Sequence, residues 1–79
     1  MATKAYVLIE TSVGKTKDVL TRLRSHQGVR TADSVTGSYD VIAVVEAEDL
    51  NAVGDLVTGQ IQTLDGIFKT MTCLCLERS

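Results

Sequence analysis

Proline and tryptophan are absent from this chain, and there are only two cysteines and one histidine among its 79 residues. Without proline or any low-complexity run there is no sign of a linker, and the length allows one domain spanning residues 1–79. The two cysteines give no disulfide framework. Cys73 and Cys75 stand two apart, so in a strand they point the same way and bridge poorly. A reduced, cytoplasmic setting is the simpler reading. With a single histidine to join them, they make a poor metal set and read instead as small buried apolar residues, with no metal or cofactor implied.

Charge of one sign is missing as well. Eight basic and ten acidic residues give a net charge of −2 and are well mixed, with no basic cluster larger than the Lys15/Lys17 and Arg22/Arg24 pairs. Phosphate contact supplies most non-specific nucleic-acid affinity, so direct binding to nucleic acid is not expected. No apolar run approaches the length of a membrane span. Met1-Ala2-Thr3-Lys4 leads straight into a strand and lacks the form of a signal peptide. A chain this short buries only about 60–65% of its unfolded surface, so oligomerisation is the remaining common source of stability.

What is present is a set of strongly apolar runs. Val41-Ile42-Ala43-Val44-Val45 is uninterrupted and largely β-branched, as in a strand buried on both faces, and Ala5 to Ile9 reads the same way. Between them, Gly14 to Ser25 is a helix with the stripe Val19, Leu20 and Leu23, hydroxyls for its N-cap at Thr11-Ser12, and Gly28 as its C′ residue. His26 is expected to cap carbonyls at that helix end. Val29 to Val35 is a polar strand suited to a sheet edge. Glu46 to Asp49 heads a second helix with the stripe Leu50, Val53, Leu56 and Val57, with Ile61 and Leu64 beyond; Gly54 and Gly59 weaken it, and it is expected to end near Gly59. Ile67 to Leu76 is the last strand.

The order is βαββαβ, an α+β ferredoxin-like sandwich with strands one and three central. Two helices cover one face of such a sheet. The third strand is apolar toward both faces, so a second copy of the sheet is the expected cover for the other.

The turn Val35-Thr36-Gly37-Ser38-Tyr39-Asp40 before the third strand carries the clearest set of ligand-type groups. Gly37 frees the backbone, so the amides around Gly37 and Ser38 are available as donors; Asp40 offers an acceptor, and Tyr39 a wall and a hydroxyl. Thr70 and Thr72 alternate to one face of the last strand and add two hydroxyls. The bland alternative is turn chemistry at Gly-x-x-Asp and β-propensity at the threonines. His26 at a helix end is no catalytic candidate.

The combination Gly37-x-Tyr39-Asp40 before an apolar strand, followed by Leu64-Asp65-Gly66-Ile67-x-x-Thr70-x-Thr72, resembles the effector-binding domain of the Lrp/AsnC (leucine-responsive/asparagine) regulators, also called the RAM domain. Gly14-Lys15 and Gly28-Val29 extend the resemblance along the whole chain. Asp65 stands where the family usually has proline. Family regulators carry an N-terminal helix-turn-helix, and here a strand begins almost at Met1, so the chain resembles the stand-alone module. The resemblance implies a dimeric α/β-barrel arrangement joined through the sheets, a ring of dimers such as an octamer, an amino-acid effector bound between dimers, and a full-length relative as a further partner in transcription regulation. Ligand binding then falls to Gly37, Ser38, Tyr39, Asp40, Thr70 and Thr72. The competing readings are a small monooxygenase- or isomerase-type enzyme of the same dimeric fold, and a purely structural hetero-oligomerisation module. The enzyme reading lacks an obvious proton-transfer or redox group, so no catalytic residue is assigned.

Overall fold

A computed structural model describes residues 2–77. Its elements are β1 (Thr3–Thr11), α1 (Thr16–Arg24), β2 (Val29–Ser34), β3 (Val41–Ala47), α2 (Leu50–Leu56) with a π-helical continuation (Val57–Ile61), and β4 (Ile67–Leu74). The sheet is antiparallel in the order β2-β3-β1-β4, which makes β1 and β3 central as expected and places the polar β2 at an edge.

Alternation divides each strand between two faces. Ala5, Val7 and Ile9 of β1 and Val41, Ala43 and Val45 of β3 are fully buried beneath the helices. They meet Val19 and Leu23 from α1, Val53 and Leu56 from α2, and Val57 and Ile61 from its continuation. In the π turn, the Gln62 amide donates to the Val57 carbonyl at 2.8 Å. The wider turn lets both Val57 and Ile61 reach the core, so the helical path runs past Gly59 instead of ending there.

Several local expectations are corrected. The N-cap of α1 is Lys15, with no side-chain cap, because the Thr11 hydroxyl is engaged with Thr16 and Asp40. At α2, by contrast, the Asp49 carboxylate caps the Ala52 amide at 2.8 Å. Glu46 and Ala47 belong to β3, and Leu50 is 58% exposed because it sits on the first turn, outside the packed stripe. His26 does not cap carbonyls: its Nδ1 accepts from the Gly28 amide at 3.0 Å, leaving Nε2 to meet Gln60. Cys73 is exposed and Cys75 half-buried, because they pair with Tyr6 and Lys4 and so lie on the sheet face that the helices leave bare.

Gly28 is not a left-handed C′ residue; the positive φ angles belong to Gly14, Gly37 and Gly66. Its constraint is space. A Cβ at Gly28 would lie 2.7 Å from Cδ2 of Leu56. Gly28→Ala is therefore expected to cost about 1–3 kcal/mol through overpacking. Urea unfolding should show a smaller cost for the same change in a Leu56→Ala background. Equal costs in both backgrounds would mean that Leu56 is not the obstacle.

Candidate functional site

The β2–β3 connection is closed by the Val35 amide donating to the Asp40 carbonyl at 2.9 Å. At its tip Gly37 has φ +114°, a region that disfavours other residues, and the space around it is open. The turn is therefore an exposed, bent backbone without side-chain cover at Gly37. Thr36, Gly37 and Ser38 are exposed, and Tyr39 and Asp40 are half-buried.

Asp40 is held from two directions. Its amide donates to the Ile9 carbonyl at 2.9 Å, and its Oδ2 accepts from the Thr11 amide at 2.8 Å and the Thr11 hydroxyl at 3.2 Å. The Thr11 hydroxyl in turn lies 2.6 Å from that of Thr16, the first residue of α1. One carboxylate thus joins the end of β1, the start of β3 and the head of α1. Oδ1 makes no hydrogen bond among the described residues and is the atom left to meet a cation. Thr11 and Thr16 both lie far before Asp40 in the chain, and no local pattern marks the contact.

Three of the six candidates are placed on a face of the sheet by their partners. Thr70 pairs with Ile9 and Thr72 with Val7, so both threonines share the helix-side face with those buried residues. The Thr70 hydroxyl accepts from Gln62 Nε2 at 2.8 Å, and Thr70 lines a hollow of about 420 Å³ with Gln62, Ile67, Phe68 and Lys69. Tyr39 reaches to the opposite face, where its hydroxyl donates to Sδ of Met71 at 3.7 Å. Met71 pairs with Leu8, and the alternation that puts Thr70 and Thr72 on one face puts Met71 on the other. Tyr39 therefore lies across the sheet from the two threonines.

The face that Tyr39 joins is apolar at its centre. Tyr6 is 37% exposed and Met71 47%, and Leu8, Ile42 and Val44 are half-buried. Cross-strand pairs Tyr6↔Val44 and Leu8↔Ile42 make them one contiguous surface. Its polar margin includes Lys4, whose ammonium lies 5.4 Å from the Tyr6 ring centroid and is raised above its ordinary pKa chiefly by hydrogen bonding to Tyr6. Arg30 and Glu46 form an ion pair at 3.7 Å at the same end of β3, where they line a cleft of about 390 Å³ with Gln27 and Glu48. Among the described residues, no three His, Cys, Asp or Glu side chains gather as metal ligands, and no helix is long and apolar enough to cross a membrane.

The four-stranded sheet with two helices on one face and the βαββαβ order define an α+β module of ferredoxin-like fold. The model of the Lrp/AsnC ligand-binding domain matches residues 4–79, and the chain belongs to this family. Solved structures agree. FFRP-DM1 is 30% identical, with a TM-score of 0.90 over 94% of this chain and 99% of its own. TTHA0845 from Thermus thermophilus is also 30% identical, with a TM-score of 0.90 over 98% and 96%. AsnC of E. coli is 26% identical with a TM-score of 0.89; 96% of this chain matches 52% of that longer protein. A search of curated proteins gives no match. The family and these neighbours support a regulatory, effector-binding module.

Asp40 gives a direct test of the anchor. Asp40→Ala removes the acceptor of a half-buried amide, and chemical denaturation is expected to show a loss of about 1–3 kcal/mol. Asp40→Asn keeps a neutral acceptor for the Thr11 amide and should cost less. Equal losses for the two would show that the amide oxygen does not replace the carboxylate.

Proposed function

We infer that this chain binds a small amino acid and responds by changing its own assembly or its association with a DNA-binding relative of the Lrp/AsnC family. The observation that carries the reading is the apolar sheet face lying beside a turn whose carboxylate is already fixed in place. A surface of Tyr6, Leu8, Ile42, Val44 and Met71 is costly to leave in water, and a second copy of the same sheet has matching chemistry. Dimerisation through this face is the first step of the proposed assembly, and a ring of dimers is the second.

In this reading a free amino acid offers its ammonium to Oδ1 of Asp40. Its carboxylate is received by backbone amides around Gly37 and Ser38 and by the hydroxyls of Thr70 and Thr72. In this reading the site is completed between chains, the turn coming from one copy and the β4 hydroxyls from another. Tyr39, resting on Met71, forms the wall between the turn and the assembly face. Binding at such a junction would couple ligand to assembly without any catalytic group, because the ligand touches only the assembled form.

Calorimetric titration with a panel of amino acids tests the binding. One of them is expected to bind wild type, with Asp40→Asn folded but at least about 30-fold weaker, the loss from leaving the ammonium unpaired. Full affinity in that variant would confine Asp40 to its structural role, and no heat with any amino acid would remove the proposal.

The structure also selects the residue for testing the face. Val44 points away from the helices, while Val45 is fully buried beneath them. Val44→Asp is expected to yield insoluble or monomeric protein, whereas Thr21→Glu, on the exposed side of α1, should leave solubility and assembly unchanged. Normal assembly by Val44→Asp would exclude this face. With its net charge of −2, the protein alone should not retard duplex DNA at micromolar concentration; salt-sensitive retardation would contradict that expectation.

A further inference from the structure

The threonines of the helical segments use their hydroxyls in two ways. Thr21 and Thr58 return theirs to the carbonyls of Lys17 and Gly54, one turn earlier, at 3.0 and 2.9 Å. Thr16 opens α1 and has no helical carbonyl behind it. Its hydroxyl leaves the helix and meets that of Thr11 at 2.6 Å. The direction of this bond follows from counting protons. The one proton of the Thr11 hydroxyl is donated to Oδ2 of Asp40 at 3.2 Å, so the bond between the two threonines is supplied by the Thr16 proton. The chain runs from Thr16 to Thr11 to Asp40, each hydroxyl donating toward the carboxylate.

The head of α1 gives up a local bond for this arrangement. Lys15 is its N-cap and supplies no side-chain cap, and the hydroxyls of Thr11 and Thr16 are turned to the carboxylate instead of the free amides of the first turn. Local rules are broken in this way at functional sites. The same helix head is a firm support. The Ser12 amide donates to the Gly66 carbonyl at 2.8 Å, and Lys15 pairs with Asp65 at 3.5 Å. Gly66 lies so close to α1 that a Cβ there would come within 2.8 Å of Lys15 Cβ and 3.0 Å of Val19 Cγ2. A binding group backed by such a shell keeps its direction.

We propose that Thr16 is a positioning residue, acting through Thr11 on Asp40, for the amino-acid site inferred above, and this role rests on that reading of Oδ1 as the acceptor of the ammonium. By giving its proton to Thr11, Thr16 selects the orientation in which the Thr11 hydroxyl donates to Oδ2. With the Thr11 amide at 2.8 Å, two donors then meet one oxygen, which fixes the rotation of the carboxylate and keeps Oδ1 as the free one. Without the Thr16 hydroxyl, Thr11 is free to turn its proton elsewhere and the carboxylate is held by the amide alone. Ordering it then becomes part of the cost of binding.

Calorimetry with the standard L-amino acids as probes compares wild type with Thr16→Val, which keeps the shape and removes the hydroxyl, and Thr16→Ser, which keeps the hydroxyl. The amino acid that binds wild type is expected to bind Thr16→Val about fivefold more weakly, the scale of one hydrogen bond, and Thr16→Ser with wild-type affinity. In an Asp40→Asn background Thr16→Val should have no further effect, because the group it acts through is gone. Thr58→Val removes a hydroxyl that bonds only its own helix and should leave affinity unchanged. Circular dichroism checks the fold of each variant, and Thr16→Ala serves if valine disturbs the helix head. Unchanged affinity in Thr16→Val, a loss that Thr16→Ser does not restore, or an equal loss in the Asp40→Asn background would overturn the role of Thr16 and leave the amino-acid site standing. No heat from wild type with any probe would remove both.

Discussion

The ladder between β1 and β3, running from Thr3↔Ala47 to Ile9↔Val41, is the constraint from which the rest of the structure follows. Both strands are apolar toward both faces, and a two-layer fold has helices for only one of them. Ala5, Val7, Ile9, Val41, Ala43 and Val45 are satisfied by α1, α2 and the π turn. Tyr6, Leu8, Ile42 and Val44 are left on the other side. The hydrophobic effect that closes the core thus also creates the surface that asks for a partner. The same sheet sets the remaining geometry: β2 and β4 become edges, and the β2–β3 turn is carried to the end of β1, where Asp40 meets Thr11.

That meeting gives Asp40 a structural role, and the proposed ligand role would rest on it. Through Oδ2 it is a structural clamp between three elements, and the same clamp holds Oδ1 at a fixed point beside an exposed backbone turn. A carboxylate that is already positioned loses little entropy when it receives a cation, which is the physical advantage of building a binding group out of a structural one. The bland reading of Gly-x-x-Asp and the ligand reading are therefore compatible, each using a different oxygen.

The fold was legible in the sequence because it rests on periodicity and on the contrast between strands. The runs Ala5–Ile9 and Val41–Val45 marked the centre, the polarity of Arg30, Thr31, Asp33 and Ser34 marked an edge, and the glycine and aspartate signals placed the breaks. What escaped was set by tertiary distance. The Asp40–Thr11–Thr16 chain joins positions without any local pattern, and it displaced the expected hydroxyl cap of α1. Gly28 carries the composition of a helix stop, but its constraint is the nearness of Leu56. The cysteines have the composition of core residues, yet alternation in β4 turns them to the face that the helices leave bare. Alternation correctly put Thr70 and Thr72 on one face but could not reveal that Tyr39 belongs to the other, because that depends on how the turn leaves β2.

The uncovered sheet face leads to the most direct test of the account, the mass of the wild-type particle in solution. Sedimentation velocity at micromolar concentration and near-physiological salt measures it without ligand, mutation or cross-link. The account predicts a folded species of at least twice the 8.5 kDa chain mass, with no stable single-chain form on dilution. A folded, soluble particle of 8.5 kDa would show that the apolar face of β1 and β3 stands in water unaided, and would contradict it.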